Sequence, residues 1–286
     1  MNTRQYKSGV RNVFDGAAAT YDRAGVEFFT PMGERLVELV APRPGCRVLD
    51  VGCGRGASLF PAAGAVGPAG HVVGIDIAPA MIEETRRETV RQRAGNVELH
   101  VMDAERPRFA TGTFDYVIGS FSVIFLADSS GALNGFHRLL RTNGRLGFTS
   151  PVFTPDTVPF LPPLFTGIIT EDVLRHVPDE WHPRRVVERY YGWLLDPDEL
   201  VATLTAVGFG DVQVRDEPVR MTTESGRDWV AWSYTQGMRL LWNSLPDQRR
   251  RELEAAIAAE LEARRSSTGS IEIDMPVRYV VADARP

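Results

Sequence analysis

The sequence predicts an α/β fold, a mostly parallel sheet with helices on both faces, and three observations carry that expectation. Short apolar runs alternate with helical stretches from Arg47 to Ser150, the pattern of repeated strand–helix–strand units. The runs are nearly continuous Val, Leu and Ile, as strands covered on both faces require. The first run ends in a glycine-rich turn that opens a helix, and 286 residues suffice for one such domain with a lid.

Val26–Val40 carries Phe28, Phe29, Met32, Leu36 and Val40 on one stripe, which predicts an amphipathic helix. A shorter helix is expected over Val10–Tyr21. Strands follow at Arg47–Val51, His71–Ile75, Val97–Met102, Phe114–Gly119 and Arg145–Ser150, with helices near Ala57–Ala65, Pro79–Ala94 and Ala132–Arg141. Pro79 suits a first helical turn, where a missing N–H costs nothing. Pro151–Pro183 is rich in proline and aromatic residues, too apolar for a free linker, and reads as a lid. A helix at Pro197–Val207 stops at Gly208; then come a strand near Val212–Arg215, helices near Asp228–Asn243 and Asp247–Arg264, and a last strand at Arg278–Val281. The expected divisions are a helical cover (1–45), a core (46–150), a lid (151–195) and a segment completing the sheet (196–286).

The net charge is −5 and the pI about 5.6, which argues against a nucleic-acid partner. Arg249, Arg250 and Arg251 share a helix with Glu252 and Glu254 and read as a solvated face. No apolar run reaches the roughly 20 residues that span a bilayer. Cys46 and Cys53 bracket a strand and lie too far apart along it to bridge. With no apolar leader between Met1 and Asp22, a reducing cytoplasm is expected. Lys7 is the only lysine among 32 basic residues.

Val48-Leu49-Asp50-Val51-Gly52-Cys53-Gly54-Arg55-Gly56 is the strongest chemical signal. Glycines there let the backbone approach a ligand and adopt positive φ. Asp76 closes the next strand 24 residues after Gly52, where a carboxylate can accept hydrogen bonds from both hydroxyls of a ribose. The spacing is G-x-G-x-G, whereas the dinucleotide fingerprint is G-x-G-x-x-G. Asp50 fits an ammonium group better than a pyrophosphate, which favours S-adenosylmethionine over a dinucleotide.

Residues 48–56 resemble motif I of the class I S-adenosylmethionine-dependent methyltransferases, and Val73-Gly74-Ile75-Asp76-Ile77 resembles their motif II. Met102-Asp103-Ala104-Glu105 is similar to the acidic turn after the third strand, and Phe114–Ser120 to the fourth strand, where methyl donor and acceptor meet. Arg138–Leu146 resembles the turn before the fifth strand, with Thr142-Asn143 in place of Pro-Gly; a locally altered turn is expected. Phe14-Asp15-Gly16-Ala17-Ala18-Ala19-Thr20-Tyr21-Asp22 resembles the N-terminal segment of the ubiquinone/menaquinone-biosynthesis-like subgroup.

The resemblance implies a Rossmann-like seven-stranded sheet ordered 3-2-1-4-5-7-6, its last strand antiparallel. It also implies methyl transfer in bacterial secondary metabolism, with Tyr21, Asp50, Gly52, Gly54, Asp76, Ile77, Met81, Asp103, Ala104 and Ser120 about the cofactor. The expected partners are a small-molecule substrate and a second copy of the chain, with neither nucleic acid nor membrane.

Phe121, Phe125, Phe153, Phe160, Phe165 and Trp181 are expected to wall an acceptor pocket, and such walls favour a flat or apolar molecule. His176 and His182, in the lid beside Glu180 and Trp181, are the base candidates together with Tyr21; Tyr190 and Tyr191 are further ones. His71, His100 and His137 lie in the cofactor half and read as structural. No ligand set has zinc-like spacing, so no metal is expected. C-, N- and O-methylation stay open. Two other readings remain: a protein of this fold acting as a non-methylating cyclase or binding module, and a dinucleotide-dependent oxidoreductase.

Overall fold

Seven strands form one sheet, ordered β3-β2-β1-β4-β5-β7-β6, in the computed structural model, which describes residues 2–22, 25–153 and 161–285. The strands are β1 (Arg47–Val51), β2 (His71–Asp76), β3 (Val97–Val101), β4 (Phe114–Gly119), β5 (Leu140–Pro151), β6 (Phe209–Thr223) and β7 (Ile271–Ala284). β1 to β5 run parallel, and β7 lies antiparallel between β5 and β6. Successive side chains of a strand point to opposite faces, so Val48 joins one hydrophobic core and Leu49 the other. Helices α2 (Phe29–Val40) and α3 (Leu59–Val66) cover the first face; α5 (Ser129–Leu139) and α9 (Pro197–Val207) cover the second. Helix α4 (Pro79–Gln92) packs on β2 and β3.

The N-terminal helix α1 spans Thr3–Ala17, earlier than the expected Val10–Tyr21. A capping box sets its start: the Gln5 N–H donates to Asn2 Oδ1 and the Asn2 N–H to Gln5 Oε1, both at 2.9 Å. Asn143 sits at φ +62 in the altered turn, a conformation asparagine tolerates. β6 and β7 are far longer than their sequence signals, because exposed polar and charged residues interrupt the apolar pattern along β6, the edge strand, and along residues 271–276 of β7, which pair with β6 alone. The stretch expected as one helix over Asp228–Asn243 is two, α10 (Gly226–Ser233) and α11 (Arg239–Ser244), broken by a turn at 234–238.

The segment expected as a lid runs, from Leu161 onward, through short helices α6 (Glu171–Leu174), α7 (Pro183–Val186) and α8 (Gly192–Leu195). Arg278 on β7 fastens it, donating to Asp216 through Nε and Nη2 at 2.8 Å and to the Leu194 carbonyl at 3.0 Å. Helix α12 (Asp247–Glu262) carries Arg249 and Arg250, paired with Glu252 and Asp247 as a solvated face. Both cysteines are free. Among the described residues no helix is long and apolar enough to cross a membrane, and no His/Cys/Asp/Glu group forms a metal cluster.

Candidate functional site

β1 enters the core fully buried and ends in the glycine turn at its carboxyl end. Gly52, at φ +66, has no room for a side chain: an added Cβ would lie 2.5 Å from the Ser122 Cβ. Gly54, at φ +48, has nothing within 4 Å of that position and faces open space. Asp50 lies just beneath, fully buried. Its Oδ2 accepts from Ser58 Oγ at 2.8 Å, while Oδ1 is buried without a partner. Burial pushes its pKa up to about 7, with Asp76 adding to the rise and the Ser58 bond opposing it. The Asp76 carboxylate accepts from the N–H groups of Gly54 (2.9 Å) and Ala78 (2.8 Å), and burial raises it to about 6.

A cavity of about 110 Å3 opens over this turn. Tyr21, Gly52, Gly54, Asp76, Ile77, Met81, Asp103, Ala104 and Ser120 all line it, and Asp50 alone of the expected cofactor residues sits behind its wall. An orphaned, buried carboxylate oxygen under a glycine turn suits a cationic ammonium, and Asp76 suits sugar hydroxyls. The donor set therefore fits S-adenosylmethionine.

Helix α1 roofs the cavity. Lys7 reaches down from it, its Nζ 2.7 Å from Asp103 Oδ2 and 2.5 Å from Glu105 Oε2. Burial works against the ammonium, but the bonds to the two carboxylates outweigh it and hold the pKa above the usual lysine value. The Ala80 N–H donates to Asp15 Oδ1 at 2.9 Å. At the carboxyl end of the helix, Arg55 and Arg239 donate to the carbonyls of Ala18 (2.6 Å) and Gly16 (2.5 Å). Trp232 Nε1 donates to Asp22 Oδ1 at 3.1 Å, and Asp22 is raised to about 7 by burial.

A second cavity, about 150 Å3 and apolar, adjoins the first and shares Phe14, Tyr21, Phe121 and Phe125 with it. Phe28, Phe29, Trp181, Tyr191 and Trp232 complete its described aromatic wall. A third, of about 520 Å3, lies on the other side of the glycine turn beside Ser58 and Arg55. Among the described residues Tyr21 alone lines all three. Phe121, at φ +54, holds a left-handed conformation that an aromatic residue rarely adopts, pinned by its N–H to Thr149 Oγ1 at 2.8 Å.

Of the aromatic residues expected in the acceptor pocket, Phe121, Phe125 and Trp181 line the apolar cavity. Phe165 and Phe153 do not. Phe165 is wholly buried against Trp229, ring centroids 4.6 Å apart, and Phe153 stacks on Tyr191 at 5.6 Å, so both belong to the packing behind the wall. Phe160 lies outside the described residues. Neither His176 nor His182 lines any of the three cavities: His182 Nε2 faces Glu171 Oε2 at 3.6 Å, and His176 is half-buried with Nε2 unpartnered. Tyr191 lines the apolar cavity, whereas Tyr190 stacks on Tyr6 at 4.0 Å. His71 and His100 both pair with Glu98, and His137 packs edge-on against Phe209.

Sequence reasoning missed Lys7, Phe14, Trp232 and Gln236. The solitary lysine in an arginine-rich chain was the one available signal for Lys7; Gln236 carried none.

Residues 42–183 match the family model described as "Methyltransferase domain". The chain is 53% identical over 209 residues to aklanonic acid methyltransferase DauC of Streptomyces sp. (strain C5), covering 73% of this chain and 95% of that protein. It is 38% identical over 275 residues to nocamycin O-methyltransferase of Saccharothrix syringae, covering 96% and 98%. Among solved structures, the YcgJ protein of Bacillus subtilis shares the fold with a TM-score of 0.57 at 17% identity, over 90% of this chain and 99% of that one. So does the 4+2 cyclase SpnF, with a TM-score of 0.51 at 17% identity, over 88% and 80%.

Proposed function

The chain belongs to the class I S-adenosylmethionine-dependent methyltransferases, and within that family we propose that it O-methylates a carboxylate carried on a flat, polycyclic acceptor of bacterial secondary metabolism. S-adenosylmethionine supplies a methyl group already activated on a sulfonium cation. The observation that carries the proposal is the aromatic cavity beside the cofactor cavity, with no histidine among its described lining residues. A carboxylate fits such a place because it arrives ionised at neutral pH, its pKa being about 4, and needs no base to expose its nucleophilic oxygen. Apolar walls strip water from that oxygen and lower the dielectric around it, which favours a transfer that neutralises charge.

Tyr21, bordering both cavities, is placed to donate to the acceptor oxygen; burial, with Asp22 and Asp76 nearby, keeps its hydroxyl protonated well beyond the usual tyrosine range. Two relatives support the acceptor class: one is named for a methyltransferase of aklanonic acid, the other for an O-methyltransferase.

The test is incubation with S-adenosylmethionine and three acceptors: a polycyclic aromatic acid, its methyl ester and the matching phenol. We expect the acid alone to gain the mass of one methylene, in a product that mild alkali returns to the acid. An alkali-stable product would overturn ester formation. Conversion without any mass gain would favour the non-methylating cyclase reading.

A further inference from the structure

Gln236 stands in the turn between α10 and α11, a polar residue 93% buried in the wall of the apolar cavity, with 7% of its surface exposed. Its backbone is fixed: the Arg239 N–H donates to the Gln236 carbonyl at 3.0 Å. Its side chain is fixed too, because the Met238 N–H donates to Oε1 at 3.1 Å. A backbone N–H can only face the oxygen of an amide, so the contact decides which way the amide points. The NH2 end is turned away from Met238 and donates no hydrogen bond to any described residue. Nε2 is not sealed off but keeps contact with the open space of the cavity, and a donor held there among apolar walls takes its acceptor from whatever fills the cavity.

The chemistry of that partner follows from the surroundings. The described lining of this cavity contains no arginine or lysine, so nothing there pays the desolvation of a second anion. A neutral amide N–H suits a neutral carbonyl oxygen. Gln236 lines the apolar cavity but not the cofactor cavity, whereas Tyr21 lines both. The Gln236 contact is therefore remote from the atom that receives the methyl group.

We propose that Gln236 is a specificity-determining residue, donating from Nε2 to a ketone or quinone oxygen on the ring system of the acceptor, away from its carboxylate. The inference rests on the reading of this cavity as the acceptor site.

Binding can be followed without turnover, because Trp181 and Trp232 line the cavity and their fluorescence reports its filling. The probes are anthraquinone-2-carboxylate and anthracene-2-carboxylate, titrated in the presence of S-adenosylhomocysteine into the wild type, Gln236→Leu and Gln236→Glu. The wild type is expected to bind the quinone acid about tenfold more tightly, the scale of one hydrogen bond in a buried site. Both variants should lose that preference; Gln236→Leu should keep its affinity for the anthracene acid within about twofold, whereas Gln236→Glu, which brings a second carboxyl into the cavity, should weaken both acids and the quinone acid more. Gln236→Glu keeps the length and the Met238 contact but presents an oxygen to the carbonyl, so its loss reports donor chemistry rather than packing. Equal weakening of both acids by both variants would assign Gln236 a purely structural role, and a wild type without preference would overturn the inference outright. If the preference is found and depends on Gln236, yet neither acid is methylated, carboxylate methylation fails and the recognition role stands.

Discussion

Asp50 has one oxygen held by Ser58 and the other held by nothing in the described chain. Its pKa rises from the ordinary 3.8 to about 7, so between those values the folded chain binds more protons than the unfolded one. Cofactor-free stability is then highest below pH 4 as far as this group is concerned, and falls as pH rises towards 7. A cation beside the free oxygen favours the ionised form, and so affinity for S-adenosylmethionine should climb between pH 6 and 8. Asp76, raised to about 6, titrates at the lower end of the same range. Asp50→Asn is expected to weaken binding about tenfold at pH 8 and to flatten the pH dependence above pH 7. Calorimetric titrations at three pH values check this, and an unchanged slope would remove Asp50 from the cofactor site.

Tyr21 offers a second test at this scale. Its hydroxyl donates no hydrogen bond to the described chain while its ring stacks on Phe29 at 5.0 Å. Tyr21→Phe should therefore leave the melting temperature within a degree or so and lower turnover about tenfold, or ~1.4 kcal/mol. Loss of stability with full turnover would mean that the ring only packs.

Helix α1 is where sequence and structure part most usefully. The resemblance carried by Phe14–Asp22 drew attention to its end, so its beginning, marked by Asn2 and Gln5, went unread. Yet the beginning carries Lys7, which ties the helix to Asp103 and Glu105, one of them expected at the cofactor. Lys7→Met keeps the aliphatic stem and leaves two adjacent carboxylates without their cation, which loosens the helix by repulsion as well as by loss of the ion pairs. Amide exchange over residues 3–17 should quicken at least threefold, and S-adenosylmethionine should associate faster through a roof that opens more often. Unchanged exchange would show that Asp15, Arg55 and Arg239 hold the helix without Lys7. Among the strands, β1 and β4 were read to the residue, because buried parallel strands announce themselves as apolar runs. β6 and β7 were read as fragments, since their charged outer residues carry no apolar signal.

Across the whole molecule the two halves of the site differ in how they were encoded. The cofactor half is local: strand, glycine turn and acidic strand end follow one another in sequence, and nine of the ten expected residues line one cavity. The apolar cavity proposed for the acceptor is assembled from α1, the loop after β4, the 161–191 segment and the α10–α11 turn, which meet only through tertiary packing. Aromatic residues could be proposed for it, but composition did not separate Phe121, which lines the cavity, from Phe165, which props up the wall. Gln236 fell inside a stretch that reads as unbroken helix, so its turn, and with it the one side-chain amide among the described lining of the cavity, was invisible.

The placement of β7 between β5 and β6 bears on how the chain is made. A ribosome releases β5 and β6 long before residues 271–284, and until then neither strand has the neighbour it needs. Five parallel strands can zip together as they emerge, but the nascent protein must carry two naked hydrogen-bonding edges until β7 is translated. Val280, completely enclosed in the finished sheet, is thus made only after both of the strands it must join. A message cut short before codon 271 would yield a chain with its cofactor motifs intact and β6 cut off from the rest of its sheet.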